Sequence, residues 1–97
     1  MAKGYWITVY RSVRDPAVLA EYGRLAVPPI QAGGGRFLVR GLPARVFEEG
    51  LSERTVVIEF DSVAQALATY EGAAYQAAFR VLQGTVERDI RFLEGAT

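Results

Sequence analysis

An arginine and a glutamate on two predicted strands form the first candidate site. Arg40 ends a predicted strand at residues 36–40, and Glu59 lies in another at residues 55–61. We expect these strands to be neighbours and to present both side chains on the same face. A partly buried guanidinium beside a carboxylate can hold the carboxylate or enolate of a small substrate. The same arrangement also suits a cross-strand ion pair that orders a dimer interface, so both interpretations stay open.

Aromatic side chains at helical spacing form the second candidate site. Tyr22, Tyr70 and Tyr75 lie on predicted helix faces that point toward the sheet, where their phenols could orient a ligand or donate a proton. The same stripe is also typical of a core with hydroxyl groups satisfied at its rim. Trp6, on the first strand, is expected to be a core or interface aromatic. Tyr22, Tyr75 and Trp6 join Arg40 and Glu59 as the candidates for ligand binding.

Two missing residue types limit the chemistry of the chain. The sequence contains no cysteine and no histidine, which excludes disulfides, thiolate catalysis and the commonest general base near neutral pH. Haem would need tyrosine as its axial ligand. We therefore expect no metal and no cofactor. Catalysis would depend on carboxylates, tyrosine, arginine or the reactivity of the substrate itself.

Charge and length exclude further classes of function. Eleven basic residues balance eleven acidic ones, so the field that gathers nucleic acid or an anionic membrane is missing. No apolar run is long enough to cross a membrane, and no secretion signal is recognisable. We expect a single cytoplasmic domain over residues 1–97, without nucleic-acid or membrane partners.

Alternating apolar residues predict the strands that position the candidate side chains. Strands are expected at residues 4–13, 36–40, 44–49, 55–61 and 89–93, with 44–49 the weakest and at an edge. Phosphate-binding loops run from strand into helix. The glycine run at residues 33–35 leads from helix into strand, so it is not interpreted as a phosphate site.

Helical spacing and capping residues predict the helices. Asp15 is placed to cap the first helix, which Pro28 and Pro29 should end or kink near Ala26, with a short turn continuing toward the glycine run. Ser62 begins a second helix with the form of a capping box. A glycine at position 72 separates it from a third helix.

The order of these elements predicts an α+β, ferredoxin-like antiparallel sheet with helices on one face and an added hairpin arm. One sheet face should be apolar, formed by Tyr5, Ile7, Val9, Phe37, Val39, Val56, Ile58, Phe60, Ile90 and Phe92. The other is mixed, formed by Trp6, Thr8, Tyr10, Arg36, Leu38, Arg40, Val57, Glu59, Arg91 and Leu93. The mixed face is too apolar for water and too charged for a core, so we expect a second copy to cover it in a homodimer.

Several segments together resemble the family called domain of unknown function 1330. They are KGYWI at residues 3–7, GGRFLVRG at 34–41, VVIEFDS at 56–62, Tyr70 followed by Tyr75 and Gln76, and the closing Glu94 and Gly95. The resemblance covers nearly the whole chain. It implies a dimeric α/β barrel, a superfamily that includes cofactor-free monooxygenases, haem-binding enzymes and small-molecule isomerases or decarboxylases. The family's own activity is not established.

The chain departs from that family at three places. Members often have tryptophan where Thr69 stands, asparagine or serine in the turn at residues 71–73, and arginine where Leu82 stands. These departures imply a different ligand or a partly lost pocket. The leading expectation is a cofactor-free enzyme acting on a small organic anion held by Arg40, with a pocket in each subunit. The alternative is a non-catalytic ligand-binding or stress-associated dimer in which the Arg40–Glu59 pair is structural.

Overall fold

The computed structural model describes residues 2–96, in which four strands form one antiparallel sheet covered by helices on one face. The elements, in chain order, are β1 (Gly4–Val13), α1 (Pro16–Ala32), β2 (Arg36–Gly41), β3 (Thr55–Phe60), α2 (Val63–Glu71), α3 (Ala73–Phe79), a 3₁₀ turn (Arg80–Leu82) and β4 (Val86–Glu94). The strand order across the sheet is β2-β3-β1-β4. This is the split β-α-β arrangement, so the predicted ferredoxin-like α+β fold is confirmed.

Polar side chains cap the starts of α1 and α2 as predicted, but only half of the predicted capping box at α2 forms. The Asp15 carboxylate accepts hydrogen bonds from the first turn of α1. The Ser62 hydroxyl accepts one from the Gln65 N–H at 3.1 Å. In a capping box the Gln65 side chain would bond back to Ser62; here it donates to the Gly33 carbonyl at 2.8 Å. The start of α2 is thereby tied to the end of α1.

Helix α1 continues through two prolines. Pro28 and Pro29 were predicted to end or kink the helix near Ala26. An end there is wrong, because both prolines lie inside the helix. Each proline leaves a carbonyl one turn earlier without its N–H partner, here those of Arg24 and Leu25. Both of these residues are exposed, so water can satisfy the two carbonyls at little cost.

The segment between β2 and β3 is irregular. The predicted edge strand at 44–49 is wrong, because residues 42–54 contain no strand in the structure. Glu48 adopts a left-handed backbone with φ 54, and the Gly50 N–H donates to the Phe47 carbonyl. This turn interrupts any ladder. The last strand also begins earlier than predicted, at Val86.

The two faces of β1 are the reverse of the prediction. Trp6, Thr8 and Tyr10 are buried under the helices, while Tyr5, Ile7 and Val9 are half-buried on the open face. Both alternating sets of residues in this strand are largely apolar, so the sequence pattern does not determine which set faces the helices. Gly4 does determine it, since a Cβ there would lie 2.3 Å from the Val63 backbone nitrogen at the start of α2.

A register shift in β2 changes the face of the residues that follow it. Phe37 lies opposite Ile58 as expected, but the ladder is irregular before Val39, which lies opposite Val57. Because directly opposed residues share a face, Val39 is on the open face, not on the predicted helix side. Arg40 lies opposite Val56, a buried residue of the helix face.

The helix face of the sheet carries the core, and the opposite face is open. Trp6, Phe60, Tyr75 and Leu82 are among the fully buried side chains. The open face combines apolar residues of β1 and β3 with ion pairs. The sequence predicted a face of this mixed character, although with a different set of residues. No helix within residues 2–96 has the length and apolarity needed to cross a bilayer.

Candidate ligand-binding cavity

A cavity of about 50 Å³ lies between α1 and the helix face of the sheet. Its wall is aromatic and aliphatic, and the aromatic residues are Trp6, Tyr10, Tyr22 and Phe37. It reaches α1 beside Gly23, where a Cβ would meet nothing within 4 Å. The enclosed volume is smaller than that of a typical small-molecule site, but the wall, mostly apolar with a few polar groups, has the composition of one.

Three arginines line this cavity, and no acidic residue does. Arg40, Arg54 and Arg88 come from β2, the residue before β3, and β4. Within residues 2–96, none of the three has a carboxylate within 4.0 Å; five other basic residues do, and three exposed arginines outside the cavity do not. Arg40 is exposed, but Arg54 and Arg88 are half-buried. Because buried cations are normally paired, these two arginines suit the cavity to a negatively charged group.

Arg88 is the cavity arginine most enclosed by aromatic rings. Its Cζ lies 5.7 Å from the ring centre of Tyr10, 5.6 Å from that of Tyr22 and 5.2 Å from that of Phe79. Cation–π contacts of this kind stabilise a guanidinium without neutralising it. Its N–H groups reach the phenolic oxygens of Tyr22 and Tyr75 at 3.4–3.5 Å. These are long hydrogen bonds, so donor capacity remains for a ligand.

Tyr22 and Tyr75 form a buried phenol pair beside Arg88. Their hydroxyl oxygens are 2.6 Å apart, and their rings meet edge to face. Burial is the main cause that raises the pKa of both phenols. Both are therefore neutral near pH 7, where they can donate or accept hydrogen bonds but cannot act as phenolate bases.

Trp6 brings an unpaired donor to the same region. It is 1% exposed, and its indole Nε1 has no hydrogen-bond partner among the described residues. A buried donor left unsatisfied costs about 1–3 kcal/mol. Trp6 lines the cavity, and its Nε1 atom is itself enclosed by protein atoms.

The structure brings four of the five predicted candidates to this side of the sheet. Arg40, Tyr22 and Trp6 line the cavity, and Tyr75 touches it through Tyr22. Glu59 lies on the open face. The predicted Arg40–Glu59 pair is therefore wrong as a contact: the strands are neighbours, but the register shift in β2 puts the two side chains on opposite faces.

Glu59 instead forms a network on the open face. Its carboxylate accepts hydrogen bonds from the Tyr5 hydroxyl at 2.8 Å and from the Arg36 Nε–H at 3.0 Å. These two hydrogen bonds hold the pKa of Glu59 below its usual value, and the bond from Tyr5 has the larger effect. A catalytic base needs a pKa closer to neutrality, so this direction favours the structural interpretation of the glutamate.

Sequence reasoning missed Arg88 and Arg54. Both have the period-two spacing that would have identified them. Arg88 precedes Ile90 by two residues, and Arg54 precedes Val56 by two, on the face predicted to be inward. The last predicted strand began at residue 89, too late to include Arg88, and Arg54 lies one residue before a strand that begins at Thr55 in both the prediction and the structure.

No group of three or more acidic, histidine or cysteine residues within residues 2–96 is placed to hold a metal ion. The polar groups of the cavity are donors above all. They suit an anionic organic molecule rather than a cation.

Comparison with known proteins identifies a family and a fold. The sequence model of the family described as "Domain of unknown function (DUF1330)" matches residues 3–96, which confirms the resemblance noted above. No curated protein matches the chain. Among solved structures, a protein of unknown function from Rhodopseudomonas palustris has a TM-score of 0.73 at 18% identity, covering 99% of this chain and 84% of that one.

Two other solved structures carry more informative descriptions. A putative antibiotic biosynthesis monooxygenase from Nitrosomonas europaea has a TM-score of 0.66 at 18% identity, covering 98% of this chain and 92% of that one. A protein from Bacteroides fragilis, described as dimeric, of unknown function and with a ferredoxin-like fold, has a TM-score of 0.64 at 14% identity, covering 95% of each chain. At these identities the likeness establishes the fold.

Proposed function

This chain belongs to the DUF1330 family, and from its own geometry we propose that it is a homodimeric protein that binds a small organic anion in the cavity beneath α1. Arg88 and Arg54 hold the anionic group, with Arg40 at the sheet edge. The phenol pair orients the ligand beside Arg88. The binding chemistry needs neither metal nor nucleotide cofactor.

The observation that carries this proposal is the set of three unpaired arginines. A guanidinium in a partly water-excluded site binds carboxylate strongly because it offers two parallel N–H donors. Arg88 lacks a carboxylate partner within the described residues and is surrounded by aromatic rings. A structural role would normally provide such a charge with an acidic partner.

The same groups limit the reactions that the site can support. Positively charged donors stabilise a carboxylate, an enolate or another developing anion. The cavity lining contains no carboxylate or imidazole to serve as a base, and the phenols of Tyr22 and Tyr75 are protonated near pH 7. We propose that any turnover depends on anion stabilisation and on the reactivity of the substrate, as in cofactor-free oxygenation or decarboxylation. The putative antibiotic biosynthesis monooxygenase from Nitrosomonas europaea, which has a similar fold, supports this by analogy alone.

The open sheet face supports the homodimer. It exposes part of Tyr5, Ile7 and Val57, together with ordered ion pairs, and no helix of the described chain covers it. A second copy placed face to face would bury these apolar groups. The descriptions of the Bacteroides fragilis structure and of a Thermobifida fusca ferredoxin-like protein as dimeric point the same way.

A non-catalytic binding protein is the second candidate function. The lowered pKa of Glu59 and its contacts with Tyr5 and Arg36 favour a structural glutamate on the open face. With Glu59 removed from the chemistry, binding does not require catalysis. The two functions differ in one measurable respect, which is consumption of the bound anion.

Tryptophan fluorescence tests the proposal directly, because Trp6 is the only tryptophan and lines the cavity. Titration with small carboxylates, such as benzoate, should change its emission saturably. Arg88→Gln should weaken binding by about tenfold or more, which corresponds to loss of one charge-assisted contact. Arg80→Gln, an exposed arginine outside the cavity, is the matched control and should bind as the wild type does.

Two results would contradict the proposal. One is the absence of saturable binding across a panel of small organic acids. The other is equal affinity for the wild type and Arg88→Gln while circular dichroism shows both folded. Product analysis of the bound acid, by mass spectrometry after incubation in air, then separates an enzyme from a binder.

A further inference from the structure

We infer that the ligand of this cavity carries two anionic groups joined by a short apolar frame, as a small dicarboxylate does. This inference rests on the proposed function and adds to it the charge and the layout of the ligand. It follows from where the sheet places Arg54 and Arg88 and from the charges that face them.

Arg54 and Arg88 lie on either side of Tyr10. The Tyr10 N–H donates to the Arg54 carbonyl at 3.0 Å, which places Arg54 directly beside β1, one residue before β3 begins. Arg88 lies opposite Tyr10 on the other neighbouring strand. Neighbouring strands are about 4.8 Å apart, so the two arginine backbones are separated by roughly 10 Å. The buried aromatic ring of Tyr10 lies between them on the same face.

Arg40 adds a third positive charge in the neighbouring row, where a row is a set of residues that lie opposite one another across the strands. It lies opposite Val56, which itself lies opposite Thr8. The next row of the same face carries Arg54, Tyr10 and Arg88. The positive groups therefore form two sites, one at Arg88 on β4 and one shared by Arg54 and Arg40 toward the sheet edge.

The charges that face the cavity do not balance without a ligand. Three guanidinium groups line it and no carboxylate does. A ligand with one acidic group pairs one of the two sites and forgoes the charge-assisted contact that the other site offers to a second carboxylate. A ligand with two separated acidic groups pairs both sites. The Tyr10 ring and the aliphatic wall then contact its apolar frame.

The other lining groups agree with a flat or apolar frame. Trp6, Tyr22 and Phe37 supply ring surfaces, and the remaining wall is mostly aliphatic. Gly23 leaves open space where α1 meets the cavity. A polyhydroxylated or phosphorylated sugar would need many more hydrogen-bonding side chains than this wall provides.

Isothermal titration calorimetry with matched acids tests the inference. Benzoate is compared with isophthalate and terephthalate, and butyrate with glutarate and adipate. In the wild type, the best dicarboxylate should bind at least about tenfold more tightly than the matched monocarboxylate. Arg54→Gln should abolish most of that advantage, so that the ratio falls toward one. Arg80→Gln should preserve it.

The outcomes separate this inference from the proposed function. If monocarboxylates bind with dependence on Arg88 but dicarboxylates gain nothing, the inference is wrong and the proposed function stands. If Arg54→Gln leaves the ratio unchanged, the second anionic site is not at Arg54 and the inference is overturned. If no acid of the panel binds, both fail. Gly23→Leu, which fills the open space beside α1, should reduce binding of all the acids without removing any charge.

Discussion

Tyr22, Tyr75 and Arg88 show how side chains from three elements depend on one another. Tyr22 comes from α1, Tyr75 from α3 and Arg88 from β4. Each phenol oxygen has the other phenol and the guanidinium as neighbours. Sequence periodicity predicted that both tyrosines face the sheet, which is confirmed. It could not predict the 2.6 Å contact between their hydroxyls, because that depends on how two helices pack.

The phenol pair should contribute measurably to stability. Tyr22→Phe or Tyr75→Phe should each lower the free energy of unfolding by about 1 kcal/mol, since each breaks the short hydrogen bond between the two buried hydroxyls. The double variant should cost less than the sum, because the second substitution breaks no additional phenol contact. Urea unfolding of the four proteins provides the measurement. Tyr70→Phe is the control, and strictly additive costs would contradict the pairing.

Glu59 should make stability depend on acid pH. Its hydrogen bonds from Tyr5 and Arg36 lower its pKa in the folded state below the usual 4.5. The stabilising contribution is therefore complete above about pH 4.5 and is lost as pH falls through the lower pKa of the folded state. Between pH 7 and pH 3, Glu59→Gln should lose less unfolding free energy than the wild type.

Chemical unfolding at several pH values checks this prediction. Glu71→Gln, an exposed carboxylate at the end of α2, is the control and should follow the wild-type curve. If Glu59→Gln loses as much stability on acidification as the wild type, the carboxylate is not held by Tyr5 and Arg36 as the structure indicates.

Among the elements, regular spacing was predicted well and irregularities were not. Strand β1, the start of α1, the cap of α2 and the break at Gly72 are where the sequence placed them. The register shift in β2 has no compositional signal, because a bulge inserts one residue without altering the apolar pattern. That single irregularity moved Arg40 from the open face to the cavity and separated it from Glu59.

The glycine run closes α1 in a way that a side chain would disturb. A Cβ at Gly35 would lie 2.7 Å from Ile30 Cγ2 and 2.8 Å from Phe60 Cζ, both in the core. Gly35→Ala should therefore destabilise the fold by about 1–3 kcal/mol through overpacking. Thermal unfolding provides the measurement. Gly41→Ala, where a Cβ meets nothing within 4 Å, is the control. Equal melting temperatures for the two variants would contradict the packing described here.

For the molecule as a whole, the most exposed large apolar side chains lie in two regions. The open sheet face carries Val39 and Leu93, about half exposed, and the irregular segment between β2 and β3 carries Leu42 and Phe47, about three-quarters exposed. The high apolar content of the sequence predicted such surface. The residues on the open face could not all be predicted, since β1 has apolar side chains on both of its faces.

A charge placed on the open face should dissociate the proposed homodimer. Ile7 lies at the centre of the sheet between Val57 and Arg91, so Ile7→Lys would bury an unpaired cation in a face-to-face dimer. Sedimentation velocity should show a dimer for the wild type and mainly monomer for Ile7→Lys, with helical circular dichroism retained. Ala20→Lys, on the exposed side of α1, should remain dimeric. A monomeric wild type would contradict the assembly.

Native mass spectrometry with added dicarboxylate tests the central claim most directly, because one spectrum reports both assembly and occupancy. We predict a dimer that binds one acid per subunit in the wild type. Arg88→Gln should also be a dimer, but with little or no acid bound at the same acid concentration. Equal acid binding by the wild type and by folded Arg88→Gln would contradict the claim that the unpaired arginines beneath α1 form an anion site.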